Sequence, residues 1–344
     1  MFTRACIAAL LLLILASGCA RTGPAADLDE YLVRLERVLE QGSHAVVPNR
    51  YPRLPAARDI RLEPARESID ILEYLRIGRC ELQQLVAERN SSLGRLAQPS
   101  QRLVYEIRFL SAGDECLEAI DEDYPDLAAD LGRVLEAKRR DLPLVIWQAT
   151  LGGDEFREYW QRGNDPLPET FGEVPELMLA LSQLADDIEG WRAGDLAIDS
   201  SRLEHQLDVI RRGSGGKQLA AWALIDEKLG AASGVVRDRI ERRALCFEGM
   251  PTPKADILDS VVREYFVGRI QRWAASLNAR HYELHPRILR IERLLADVMP
   301  PAYRNWQIAR DTQLEAGRGA LARHVEALRP LLSQCNLLPA APDS

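Results

Sequence analysis

The chain has 344 residues, with 44 basic side chains against 52 acidic ones and a formal net charge of −8. That surplus of negative charge argues against nucleic acid as a partner, because phosphate backbones are bound by clustered Lys and Arg. Hydrophobic residues make up 47% of a chain this long, so a sizeable core can be buried without help from metals or partners.

The N-terminus reads as a targeting segment. Arg4 precedes an apolar run from Ala5 to Ala16, and Ser17, Gly18 and Cys19 follow. A charged start, an apolar middle and small residues at the end make an export signal, and the run is too short to span a bilayer. Leu15-Ala16-Ser17-Gly18-Cys19 resembles the lipobox cut by the lipoprotein signal peptidase, with Ala16 where leucine is commoner. The resemblance implies cleavage before Cys19 and lipidation of its thiol, with anchoring made durable by more than one acyl chain. Cys6 lies inside the apolar run and is the weaker candidate. Ala20 stands where an Asp typically retains such proteins in the inner membrane. The resemblance therefore implies a lipid anchor in the outer membrane, with the body facing the periplasm. Residues 20–27 are small and polar, as a short tether requires.

Beyond the tether, apolar residues recur at helical spacing. Leu28, Leu32, Leu35 and Leu39 form the first stripe, and Leu103, Ile107, Leu110 and Leu117 the next. Leu177, Leu181, Leu184, Ile188 and Trp191 form a third. The last segment repeats the pattern with Leu321, Val325, Leu328, Leu332 and Cys335. Alternation at period two is nowhere sustained, so the fold class is all-α, a multi-helix bundle of antiparallel helices. Breaker clusters fall at 47–64, 91–100, 163–175 and 249–253. Composition does not shift across them, and the expected organisation is a leader at 1–18, a tether at 19–27, one helical domain at 28–338 and a disordered tail at 339–344.

Besides Cys19, four cysteines survive maturation: Cys80, Cys116, Cys246 and Cys335, an even number in an oxidising compartment. Residues 91–100 form a breaker between two helical patterns, and the midpoint of Cys80 and Cys116 falls within it. An antiparallel pair folded there brings the two thiols level. Cys246 and Cys335 are paired by elimination, which would staple the C-terminal helix to the body. A thiolate zinc site lacks any C-x-x-C spacing, so no metal and no cofactor is expected.

The stretch from Cys80 to Gly94, followed by Pro99-Ser-Gln-Arg-Leu-Val-Tyr-Glu106, resembles a signature of an uncharacterised family of proteobacterial lipoproteins of unknown function. The resemblance implies an envelope location and helical architecture and transfers no catalytic residues. Physically, Asn90, Ser91, Ser92 and Gly94 can end one helix, and Gln98 or Ser100 can begin the next.

Candidate chemistry is sparse. His281 and His285 stand four apart, a spacing that suits a metal on a helix face, but Pro286 is expected to push His285 out of helical conformation and end the helix there. His44, His205 and His324 stand alone. Glu67-Ser68 resembles the catalytic pair of lytic transglycosylases in two letters only, and a helix N-terminus explains the glutamate. Trp147, Tyr159, Trp160, Trp273, Tyr282 and Trp306 suit a groove or a core equally. Arg237, Arg239, Arg242 and Arg243, interleaved with Asp238 and Glu241, read as a solvated helix face. No motif for acyl, phosphoryl or hydride transfer is present. The expected function is a non-enzymatic helical interaction or adaptor protein, held to the membrane through its N-terminal lipid and meeting an envelope protein partner. The alternative is a protein that binds or hydrolyses cell-wall or lipid material.

Overall fold

A computed structural model describes residues 22–42, 46, 52–62, 80–91, 96–120, 124–161, 166–172 and 174–337. Cys19, His44, Glu67, Ser68, Ser92, Gly94, the leader and the tail lie outside these residues.

The described residues are helical, with no strand among them and a single isolated bridge between Phe247 and Met250. Helix α1 spans Pro24–Leu39, with Pro24 at its first position and Asp27 in its first turn, both favoured there because the opening N–H groups lack acceptors. Its face of Leu28, Tyr31, Leu32, Leu35 and Leu39 is buried, and it ends where Glu40 turns left-handed at φ 54°. A single turn, α2 (Ala57–Ile60), precedes α3 (Leu82–Asn90) and α4 (Pro99–Ile120). Ser91 closes α3 by donating its hydroxyl to the Glu88 carbonyl, and Gln101 reaches back to accept from the Gln98 N–H at the start of α4. The two helices pair antiparallel. Arg89 at one end lies over the Tyr105 ring, while Cys80 at the other is bonded to Cys116 with Cα atoms 5.5 Å apart.

Next come α5 (Pro125–Ala149), α6 (Asp154–Tyr159), α7 (Val174–Ala193) and α8 (Ser200–Arg212). Asp199 caps α8 by accepting from the N–H groups of Ser201 and Arg202. Helix α9 (Gly215–Arg242) starts on Tyr159. A Cβ at Gly215 would lie 2.3 Å from that ring, and one at Gly216 would lie 2.0 Å from the Gln161 carbonyl oxygen, so only glycine fits. After α10 (Pro253–Val261), the helix widens into a π-helical segment over Val262–Gln271 and continues as α11 (Arg272–Leu294). The final helix, α12, covers Pro301–Ser333 and packs along α9.

Two apolar cores result. One gathers α3 to α8 around Trp147, Phe156, Leu184 and Ile188, together with the second half of α11 and the start of α12. The other gathers α1, α9, α10 and the π segment around Trp222, Phe266 and Trp273, with the first half of α11 and the rest of α12. Helices α11 and α12 run through both. Cys246 and Cys335 are bonded at the rim of the second core, with Cα atoms 5.2 Å apart.

Two expectations need correction. Pro286 lies inside α11, so His285 remains helical. Proline costs the helix one backbone bond, to the carbonyl of Tyr282 one turn back, and the packing of α11 through both cores keeps the helix continuous. On α12, Leu328 and Cys335 are buried and Leu321 and Leu332 pack against the core as their spacing requires, but Val325 leaves the stripe. Leu314, Gly317, Ala320, His324, Leu328 and Leu331 face inward, leading to Cys335, while Val325 is 37% exposed. An apolar pattern at helical period admits either Val325 or its neighbour, and a buried histidine with polar partners decided between them.

Candidate functional site

Among the described residues, polar side chains of interest gather in three places: a sealed charge network beside His281 and His285, a sealed neutral chain through His324, and an open cleft at Arg239 and Arg243.

The charge network sits where α11, α12 and the Tyr159-Trp160 segment meet. Arg310 is fully buried and donates to both oxygens of the equally buried Glu292, at 2.6 and 3.0 Å. Its Nε donates to Asp311 at 2.8 Å. The guanidinium lies beside two indoles that meet edge to face, 5.1 Å from the Trp160 ring centre and 5.0 Å from that of Trp306. Tyr303 and Gln307 donate to the remaining lone pairs of Glu292, at 3.0 and 2.7 Å. Burial works against the charge on Arg310, but Glu292 outweighs it and holds the guanidinium pKa above its ordinary value. A buried pair of this kind needs its remaining hydrogen-bonding groups satisfied, and here both Glu292 oxygens accept twice and each Arg310 nitrogen donates.

His281 and His285 stack beside this network with ring centres 4.6 Å apart, and His285 Nε2 is 3.5 Å from Asp311. Burial, then the neighbouring His285, then Arg318 push the His281 pKa down to about 4. Burial and the nearby Arg310 lower that of His285. These guanidinium groups repel a second cation, and no group of three or more His, Cys, Asp or Glu among the described residues could hold a metal ion. The adjoining void is about 10 Å³, room for about one water and no substrate.

The neutral chain lies in the second core. Ser233 donates its hydroxyl to the Leu229 carbonyl at 2.7 Å, so its oxygen accepts from His324 Nδ1 at 2.9 Å. That leaves His324 Nε2 unprotonated to accept the Tyr31 hydroxyl at 2.7 Å. A serine next to a histidine suggests a nucleophile, yet Ser233, His324 and Tyr31 are 5%, 0% and 1% exposed, which bars any substrate. The chain ties α1 to α9 and α12. His205 is exposed on α8.

The open cleft lies beside the Cys246–Cys335 bond. Phe247, Glu248, Gly249 and Met250 form a tight turn in which the Met250 N–H donates to the Phe247 carbonyl at 3.0 Å. Glu248 and Gly249 have φ of 51° and 74°, the signature of a primed turn. The disulfide holds one side, and Asn336 donates to the Gly249 carbonyl at 3.1 Å on the other. Phe247 and Met250 are left 72% and 63% exposed at the tip.

Behind the turn, Arg239, Arg243, Leu245, Phe247, Pro253 and Lys254 line a cleft of about 530 Å³. Arg239 departs from the expected solvated face. It is 6% exposed, its buried Nε has no hydrogen-bond partner, and its Nη2 reaches only the Ala244 carbonyl at 3.4 Å. Among the described residues no carboxylate lies within ion-pair distance of it, although Glu40, whose carboxyl Lys254 holds below the usual range, is close enough for Arg239 to add to that effect. Glu40 is engaged instead by Lys254 and, at 4.0 Å, by Arg243. The C-terminal end of α9 offers a cation about 0.3–1 kcal/mol, whereas desolvating an ion costs several. The helix end therefore leaves most of that cost uncompensated. One signal in the sequence could have found the residue, since Arg239 continues the apolar series Ala232, Val235 and Val236 at helical spacing.

Of the aromatic candidates, Trp147, Tyr159, Trp160, Trp273 and Trp306 are core residues, and only Tyr282 is exposed, at 60%. A second concavity, of about 270 Å³, opens at the start of α9 between Phe171, Arg212 and Lys217.

Residues 28–339 match the family described as "Protein of unknown function (DUF3080)". The chain belongs to this family. No curated protein and no solved structure matches it. Membership agrees with the resemblance read from the hairpin residues and brings no activity with it.

Proposed function

We propose that this DUF3080 protein is a lipid-anchored envelope protein that contacts a protein partner through the Phe247–Met250 turn. The exposed apolar pair on a cross-linked turn is the observation that carries the reading. Large apolar side chains held rigidly in water pay little ordering entropy on binding and serve well as interface anchors. The lipobox-like run ending at Cys19 supports cleavage and acylation there, at the inner face of the outer membrane. Two disulfides suit an oxidising compartment, and no helix among the described residues is long and apolar enough to cross a membrane.

The geometry suits a contact away from the anchor. Cys19 lies five residues before Pro24, a reach of at most about 17 Å. Helix α1 then runs 16 residues, about 24 Å. Glu40 at its far end meets Lys254 and Arg243, the flank of the turn. Glu67, the residue that suggested hydrolysis of cell-wall material, lies outside the described residues, and the buried Glu292 has no access to a substrate-sized void.

Crosslinking in intact cells with affinity purification and mass spectrometry tests this reading. Adducts to an envelope protein are expected from the native chain and lost in Cys19→Ser, which also loses palmitate label. A Phe247→Ser/Met250→Ser double variant should keep the label and lose the adducts. Retention of the adducts by that variant refutes the contact, and retention of the label by Cys19→Ser refutes the anchor.

A further inference from the structure

We infer that the cleft behind the turn binds a small amphiphilic anion, with a carboxylate or phosphate head against Arg239 and an apolar body along Leu245, Phe247 and Pro253. The inference stands apart from the protein-contact reading, since it rests on the interior of the cleft and not on the exposed tip.

Arg239 is the deciding residue. A guanidinium keeps its charge at any physiological pH, so burial cannot be relieved by losing a proton. Its Nε is sealed from solvent without an acceptor, and its one hydrogen bond is long. Other buried arginines have their guanidinium engaged, Arg310 by Glu292 and Arg280 by the Gln218 side-chain carbonyl and the Phe171 ring. Arg239 instead lines an open cleft, and an incoming oxyanion would pair with the face of the guanidinium that borders it, although Nε itself stays sealed. Arg243 and Lys254 lie at the mouth, 72% and 46% exposed at their side chains, where they add positive potential that Glu40 offsets in part.

The remaining walls argue against a bare anion. Leu245, Phe247, Pro253 and the disulfide present carbon and sulfur, and about 530 Å³ falls within the roughly 300–1,000 Å³ common to small-molecule sites. A charged head on an apolar tail matches both surfaces at once, with the head inside at Arg239 and the tail leaving past Phe247.

Isothermal titration of the oxidised mature protein tests this with four probes below their micelle thresholds: laurate, dodecyl phosphate, inorganic phosphate and dodecyl maltoside. At least one charged amphiphile should bind about tenfold or more tighter than inorganic phosphate and than dodecyl maltoside, and the stronger of the two identifies the head. Arg239→Met should weaken that binding by about tenfold or more while the protein stays folded by circular dichroism. Equal binding of dodecyl maltoside overturns the charge half of the proposal, and equal binding of inorganic phosphate overturns the apolar half. Unchanged affinity in Arg239→Met, or no binding by any probe, overturns the site. These comparisons on the native chain need no variant, so a misfolded Arg239→Met leaves them decisive. The Phe247→Ser/Met250→Ser crosslinking result is read separately, so either proposal can fail alone.

Discussion

The two cores treat a buried arginine in opposite ways. In the first, Arg310 has two bonds to Glu292, one to Asp311 and two indoles beside it. In the second, the chain from Tyr31 through His324 to Ser233 is neutral, Arg280 donates to the neutral Gln218, and Arg239 sits at the rim with a single long bond. A buried charge whose partners all come from the chain is architecture, because it is complete before anything binds. A buried charge left incomplete at the edge of a cleft is a place where something from outside can finish the set. The difference separates positions where mutation should cost stability from positions where it should cost recognition.

The largest effect should follow from breaking the complete set. Arg310→Met leaves Glu292 buried without its cation and should destabilise the protein by about 3–5 kcal/mol, read as a lowered urea midpoint. Pairing it with Glu292→Leu removes the stranded charge and should recover part of the loss, though Tyr303 then lacks its acceptor. A single variant with unchanged stability would mean that Arg310 is no more structural than Arg239, and the contrast between the cores would collapse.

Each core has its own disulfide, and the bonds should rank in the order of the chain they enclose. Removal of either by Cys→Ser pairs should cost about 2–4 kcal/mol. The Cys246–Cys335 loop spans 89 residues against 36 for Cys80–Cys116, a difference worth about 0.8 kcal/mol in the chain-entropy view. Denaturant midpoints of the two variants check the order. The reverse order would show that the denatured state near Cys80 is already restricted.

Much of the fold was legible because it follows from periodicity. The stripes of α1, α4 and α7 are buried as their spacing requires, with only Leu117 partly exposed, and the breaker at 91–100 does mark a hairpin. The site was less legible, and for one recurrent reason. Glu292 follows Leu284 and Ile288 on its helix face, Arg310 follows Tyr303 and Trp306, and Arg239 follows Val235 and Val236. A polar residue in register with an apolar stripe marks a buried polar group, but its partner comes from elsewhere in the chain. Tyr31 and His324 are 293 residues apart, so no local window could show that one satisfies the other. The same absence of long-range information hid Pro286 inside α11.

Acid should sharpen the contrast from the neutral side. Burial pushes the His324 pKa down to about 3, while the unfolded chain has the ordinary value of 6.5. Between these values the unfolded state binds more protons, so stability is lost as pH falls below about 6.5 and the loss is complete near 3. At pH 5 the loss from this group should be roughly 2 kcal/mol relative to pH 7. His324→Gln, which does not titrate, should flatten that part of the slope in urea midpoints taken at both pH values. An unchanged slope would place the acid sensitivity elsewhere.

The smallest stability effect belongs to Arg239, and its smallness is what makes it informative. Replacing an incompletely paired buried cation by an apolar side chain of similar length removes a desolvation cost and one weak bond. Arg239→Met should therefore leave the urea midpoint within about 0.5 kcal/mol of the native value, or raise it. An arginine that braced the end of α9 through Ala244 would instead behave like Arg310 and lose several kcal/mol on substitution. Measuring the two variants side by side, both buried arginines changed to the same residue, separates a charge that holds the protein together from one held ready for an outside partner.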